Sequence, residues 1–151
     1  MLPDDLEVWD GTRGVISAGK PVLIPLARFI DHRGSLSVFD KIGEDFFNPK
    51  RIFFQHDISA SSIRGEHAHL TCEQILFPLV GPCRVTLTSK HGAWQKDLNP
   101  FEFGLYIPIM TWSAQQYLEN GSSVLVLASQ EYDESDYIRE YLEFEKALDG
   151  E

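Results

Sequence analysis

The run Arg64-Gly65-Glu66-His67-Ala68-His69, followed by Glu73-Gln74 and by Gly81 at the next turn, decides how this chain is read. In an extended strand alternate side chains share a face, so His67 and His69 point one way and Ala68 the other. Two imidazoles then converge on one side of a sheet. If that side is the interior of a barrel, the rings stand in a partly dehydrated space where modest changes of environment set their pKa values. Such a pair can remove and return protons near neutral pH. Taken alone, a His-x-His pair is as readily two half-buried polar residues or an incomplete metal site.

The flanking sequence supplies the barrel. Short runs rich in Val, Ile, Leu, Phe and Thr at 22–29, 35–40, 51–58, 63–70, 74–80, 83–88, 103–107 and 123–128 read as strands. Between them stand turn signals: His32-Arg33-Gly34, Asn48-Pro49, Gly81-Pro82, His91-Gly92, Asn99-Pro100 and Asn120-Gly121. Many short strands at this spacing predict an all-β sandwich or barrel. The end of the chain changes period. Tyr137, Tyr141, Phe144 and Leu148 recur every three to four residues and predict a helix, capped by Asp133 or Ser135. That helix is expected to pack over the barrel and to carry no chemistry. The predicted organisation is a single domain over 1–151, with residues 1–20 an N-terminal extension, 21–130 the barrel and 131–151 the C-terminal helix.

Bulk properties narrow the function. A chain of 151 residues with 43% hydrophobic residues fits one packed core. A formal net charge of −10 opposes encounters with nucleic acid and anionic membranes, so neither is an expected partner. Arg28, Arg33, Lys50, Arg51, Arg64 and Arg84 leave room for a small anionic ligand. The acidic start, 1–9, lacks the pattern of a signal peptide, and no apolar stretch is long enough to span a bilayer, which predicts a cytoplasmic protein. Cys72 and Cys83 lack metal-motif spacing and are expected to be reduced thiols.

The spacing of His67, His69, Gln74 and Gly81 resembles the first motif of the cupin superfamily, and implies a double-stranded β-helix, or jelly-roll, barrel. A wider set of runs is similar to a narrower family, the dTDP-4-keto-6-deoxyglucose 3,4-ketoisomerases. Those runs are 31–36 (Asp-His-Arg-Gly-Ser-Leu), 49–52 (Pro-Lys-Arg-Ile), 64–69, 104–108 (Gly-Leu-Tyr-Ile-Pro) and 132–139 (Tyr-Asp-Glu-Ser-Asp-Tyr-Ile-Arg). The resemblance covers most of the chain beyond the first twenty residues. The Arg-Gly-x-His-Ala-His run combined with the 132–139 run is far more specific than either alone.

The resemblance implies an isomerase that moves a ketone from C4 to C3 of a dTDP-linked 4-keto-6-deoxyhexose, in deoxyamino-sugar and lipopolysaccharide synthesis, without a cofactor. His69 is expected to be the principal base and His67 its partner. Gln74 holds the motif's Glu/Gln position beside the substrate. Arg33, Arg51 and Arg64 are the candidates for a diphosphate, because guanidinium forks match phosphate oxygens. Tyr106 and Trp112 are the candidates to pack on the sugar or base. No metal is expected: a cupin metal site draws a further histidine from the second motif, where this chain has Ser113, and Gln74 replaces a carboxylate. Ser113 also departs from the ketoisomerase pattern, as do Phe53, Phe54, Gln55 and His56, where relatives often carry tyrosines. A non-catalytic dTDP-sugar-binding cupin, a related nucleotide-sugar epimerase and a metal-dependent cupin are the alternatives. A homodimer, with residues before about 30 crossing to the neighbour, is likewise what the resemblance implies.

Overall fold

Side chains alternating between a water-facing and a core-facing position force most of the chain into strands that bury one face each. The computed structural model describes residues 5–11, 19–40, 43 and 45–150. Residues 1–4 and 12–18 of the expected extension, with 41, 42, 44 and 151, lie outside the described residues. The first strands are β1 (Glu7–Val8), β2 (Val22–Pro25), β3 (Ala27–Asp31), β4 (Gly34–Val38) and β5 (Arg51–Ile58). The middle of the chain forms β6 (Ile63–His69), β7 (Gln74–Val80), β8 (Cys83–Ser89) and β9 (Gly92–Leu98). There follow β10 (Phe103–Ile107), β11 (Trp112–Tyr117), β12 (Ser122–Ala128), β13 (Tyr137–Ile138) and the helix α1 (Tyr141–Asp149).

Two sheets face each other as a jelly roll. One runs β1-β2-β10-β7-β12-β5 and the other β13-β6-β11-β8-β9, while β3 and β4 form a separate hairpin. The space between the sheets is filled by Leu23, Leu76, Val85, Leu87, Leu105, Tyr117, Val124 and Val126. The outer face of the first sheet is covered differently: Val22, Ile24, Ile75, Phe77 and Tyr106 pack under Trp9, Phe39, Phe46 and Phe47. This is the cupin barrel expected from the sequence.

The strands expected at 51–58, 74–80 and 103–107 form with those bounds. That expected at 22–29 breaks at Leu26, after Pro25, and continues into the β3–β4 hairpin. Four strands, β1, β9, β11 and β13, lie outside the expected runs. The predicted helix is also corrected. Asp133 does act as a cap, its carboxylate accepting from Ser135 N at 3.0 Å, but it caps a short 3-10 turn at Glu134–Asp136. Tyr137 and Ile138 then pair with His69 and Ala68 of β6, because a free strand edge offers backbone partners that a helix there would leave unmet. The helix starts only at Tyr141, and its fully buried Phe144 packs on Trp112 and Ile138. Burying such a side chain contributes on the order of 2–3 kcal/mol. Among the described residues no helix is long and apolar enough to cross a membrane.

Candidate active site

The histidines owe their setting to a break in β6. Ser113 of β11 pairs with His67, but Ala114 pairs with Gly65, so Glu66 is an extra residue, a β-bulge. Gly65 and Glu66 take φ values of 84° and 56° to make it. A one-residue slip reverses the facing of everything beyond it. Arg64, which strict alternation would turn away from His67, is thereby turned to the same side.

That side is a cavity of about 350 Å³. Its lining includes Phe53 and Gln55 from β5, Arg64 and His67 from β6, Gln74 and Leu76 from β7, Gln115 from β11, and Tyr137 and Arg139 beyond the 3-10 turn. Both its volume and its mix of apolar wall with a few polar groups suit a small-molecule site.

The two imidazoles are not equivalent. Their ring centroids lie 4.9 Å apart, edge to face. His67 lines the cavity, and its Nδ1 lies 3.0 Å from the Gly65 carbonyl, which as an acceptor fixes the proton on Nδ1 and leaves a lone pair on Nε2. His69 sits behind it, only 6% exposed. Its Nδ1 donates to Asp136 Oδ2 at 2.9 Å, and its Nε2 lies 3.4 Å from the Gln74 amide nitrogen. The other oxygen of Asp136 accepts from Thr71 N at 2.6 Å and Thr71 Oγ1 at 2.7 Å. Tyr137 packs its ring on both imidazoles, with centroids 5.0 Å from His67 and 4.3 Å from His69.

Electrostatics keep both rings neutral. Burial, followed by the neighbouring His69, lowers the His67 pKa to about 4. Burial also lowers that of His69, and the attraction of Asp136 only partly offsets it. Burial works against ionisation of Asp136 too, yet the hydrogen bonds from Thr71 and His69 together hold its carboxyl below the usual range. The pair is thus a neutral imidazole donating to a carboxylate. At the rim, Arg139 lies 4.3 Å above the Tyr137 ring and grips Glu134 through Nε and Nη2 at 2.7 and 2.9 Å. That grip, with the Tyr132 hydroxyl, lowers the Glu134 pKa to about 2.

Of the residues singled out in the sequence, His67, Arg64 and Gln74 line this cavity, and His69 stands against it through Gln74. The others are elsewhere. Arg33 is at the tip of the β3–β4 hairpin, held to Asp31 at 2.6 Å and lining a different hollow with Phe29, Ile30 and Leu36. Arg51 shares the parity of Phe53 and Gln55 in β5 and lies over the rings of Phe53 and Tyr132 without lining the cavity; its charge acts on His69, and its buried Nε has no hydrogen-bond partner among the described residues. Tyr106 and Trp112 fail for one reason, strand parity. Leu105 and Ile107 take the inward positions of β10, so Tyr106 faces out, buried with its hydroxyl on Glu73. Ser113 takes the inward position of β11, so Trp112 lies under α1. By the same rule Phe53 and Gln55 face the cavity while Phe54 and His56 are exposed.

Sequence reasoning missed Asp136, Tyr137, Arg139 and Gln115. The first three belong to the 132–139 run quoted above, whose helix-like spacing concealed a strand. A metal ion at the cavity would have His67, His69, Gln74 and Ser113 near it, a set poor in anionic donors. One His/Cys/Asp group does lie together among the described residues: His69, Cys72 and Asp136, with ligand atoms within 4.8 Å. The nitrogen and oxygens there are already engaged with each other and with Thr71.

Residues 20–149 match the family model described as "FdtA: WxcM-like, C-terminal". The chain belongs to the WxcM-like family. The family match includes every cavity residue named above. A TDP-4-oxo-6-deoxy-alpha-D-glucose-3,4-oxoisomerase from Aneurinibacillus thermoaerophilus is 36% identical over 126 residues, 83% of this chain and 91% of that protein. Among solved structures, a 3,4-ketoisomerase from Helicobacter canadensis superposes with a TM-score of 0.79 at 32% identity, covering 85% of this chain and 97% of that one. A histidine-to-asparagine variant of the QdtA 3,4-ketoisomerase from Thermoanaerobacterium thermosaccharolyticum, in complex with TDP-4-keto-6-deoxyglucose, superposes at 0.78 with 30% identity, covering 86% and 94%.

Proposed function

We propose that this protein is a 3,4-ketoisomerase acting on a dTDP-linked 4-keto-6-deoxyhexose, with His67 and His69 as its proton-transferring pair. The observation that carries the reading is a neutral, cavity-lining His67 whose Nε2 is left free by the Gly65 carbonyl, backed by His69 on Asp136. The C4 ketone acidifies the C3–H bond. His67 Nε2 takes that proton while the bond's electrons form the C3=C4 double bond of an enediolate whose charge rests on the C4 oxygen. The C3 hydroxyl proton passes by way of His69 Nε2 to the C4 oxygen as C3 becomes the ketone, and C4 receives the proton held by His67. No electrons enter or leave, so no redox cofactor is called for.

The order of the pair is the reverse of that expected from the sequence. His67 lines the cavity and is placed to meet carbon, while the nearly buried His69 serves the hydroxyl proton through Nε2. Arg64 and Arg139, both at the cavity, are the guanidinium groups placed for the diphosphate or the sugar oxygens. Metal independence is part of the reading, as are a single cupin unit and a cytoplasmic setting in deoxyamino-sugar synthesis.

A homodimer belongs to it as well. Every residue of β3 is exposed, and Phe29, Ile30 and Leu36 present apolar surface at 61%, 70% and 61% exposure. A lone hairpin with such a face is stable only against another surface. A second copy is the occupant the family resemblance names, and it would carry Arg33 to its neighbour.

The test uses dTDP-4-keto-6-deoxyglucose in deuterated water. The expected result is 3-keto product, with deuterium at C4 in those turnovers where protonated His67 exchanges with solvent before returning its proton, and with His67→Asn losing at least about 100-fold in rate while its circular dichroism is unchanged. Saturable binding of the sugar nucleotide with neither product nor exchange would make the protein a binding cupin instead. Unchanged turnover in His67→Asn would remove the base from its role.

A further inference from the structure

Asp136 reaches His69 from far along the chain, and its own setting is unusually complete. Its side chain is 9% exposed. One oxygen takes the His69 Nδ1–H, and the other takes both the backbone N–H and the hydroxyl of Thr71. Backbone bonds hold the segment in place: Leu70 N donates to Asp136 O at 2.9 Å, and Tyr137 pairs with His69 in the sheet. An ionised carboxylate accepts and never donates. The proton of neutral His69 must therefore sit on Nδ1, and its lone pair on Nε2, toward Gln74 and the cavity.

We propose that Asp136 is a positioning residue that sets the tautomer of His69, and that Thr71 sets the orientation of Asp136. The inference deepens the ketoisomerase reading and rests on His69 exchanging a hydroxyl proton through Nε2. Asp136 touches no substrate in this arrangement. It acts only by deciding which ring nitrogen can accept.

The role of Thr71 makes the idea sharp. In Asp136→Asn the amide can turn either of two ways, but both Thr71 donors need an acceptor. The amide oxygen must remain on Thr71, which turns the NH₂ toward His69. Nδ1 then becomes an acceptor and the ring proton moves to Nε2. There it faces the Gln74 NH₂, donor against donor. A geometrically intact site is left with the wrong nitrogen protonated.

The experiment combines ¹⁵N-detected histidine NMR with steady-state kinetics on dTDP-4-keto-6-deoxyglucose, for the full chain and for Asp136→Asn. The expected result is an unprotonated Nε2 at His69 in the native protein and an unprotonated Nδ1 in the variant. With it, kcat should fall by about 100-fold or more while KM stays within about threefold, since a wrong tautomer can cost up to about 10⁴-fold in kcat. Asp136→Glu, which keeps an acceptor-only group, should recover the native tautomer and part of the rate. The same tautomer in native and Asn proteins, or a kcat within threefold of native, would overturn the proposal. Should the Asn variant not fold, the native spectrum still decides, because a protonated Nε2 there sinks it. The spectra do not depend on turnover, so an inactive native protein with the expected tautomers would count against the ketoisomerase reading and leave the positioning role standing.

Discussion

Replacing Gly65 with Ala tests whether the bulge in β6 makes the site. A Cβ built on Gly65 falls 2.8 Å from Gln115 Oε1 and 2.9 Å from the Ser113 carbonyl oxygen. The amide end of Gln115 can swing away, but the Ser113 carbonyl belongs to the paired strand and cannot. At a φ of 84° an L-residue pays about 1–2 kcal/mol in addition. Overpacking against fixed backbone adds about 1–3 kcal/mol, for a total of roughly 2–5. Gly121→Ala is the control. Its φ is 77° with nothing within 4 Å of the new Cβ, so it carries the backbone term alone. In urea unfolding, with a slope of about 2 kcal/mol/M, Gly65→Ala should unfold at least about 0.5 M earlier than Gly121→Ala. It should also lose activity, because the carbonyl that orients His67 and the turn that brings Arg64 to the cavity both depend on that geometry. Equal midpoints for the two variants would show that the bulge is not pinned by β11, and the account of the cavity-facing Arg64 would fall with it.

The folded His67 pKa, near 4, lies below its unfolded value of 6.5, so the native state binds fewer protons between them. The resulting contribution, on the order of 3 kcal/mol, is complete above pH 6.5 and lost as pH falls toward 4. The acid limb of kcat/KM should correspondingly lie well below pH 6; a limb at 6.5 would contradict a desolvated base. Paired Phe29→Asp and Ile30→Asp changes should convert a dimer to monomer in sedimentation velocity, and a native protein that already sediments as a monomer would refute the hairpin's docking on a second copy.

The parts of the fold that were legible in sequence are those whose buried face is apolar. β7 and β10 carry Ile75, Leu76, Phe77, Leu105 and Ile107, and burial on both faces made them continuous apolar runs. β11 escaped notice because its inward residues are Ser113, Gln115 and Tyr117. Gln115 lines the cavity, and the polar groups pair up around it, with Gln115 donating to Ser113 Oγ at 3.1 Å and the Tyr117 hydroxyl donating to cavity-lining Gln55. The pattern rule failed where the protein has to be polar inside. β9 was hidden for another reason: Gln95, Lys96 and Asp97 are consecutive and exposed, leaving only Trp94 and Leu98 to mark its core face. Tyr137 was assigned to the wrong element because its spacing to Tyr141 and Phe144 is helical, and spacing says nothing of the free edge of β6 that draws it into a sheet.

His-x-His is symmetrical as a motif, and strand alternation alone would give two interchangeable rings. The asymmetry comes from what lies on either side of the pair. Toward the start of β6, the bulge turns the Gly65 carbonyl to His67, so that ring takes its hydrogen-bond partner from two residues away. Toward the end, β13 brings Asp136 to His69 from 67 residues away. The first partner is a neutral carbonyl at the wall of the cavity, the second a buried carboxylate held by Thr71. Both partners fix a tautomer, but the carbonyl leaves His67 a desolvated acceptor facing the cavity, whereas the carboxylate lets His69 share charge when it is protonated. Two identical side chains two residues apart thus acquire different chemistry from one local irregularity and one distant contact, and only the first of these leaves a mark, Gly65, in the neighbouring sequence.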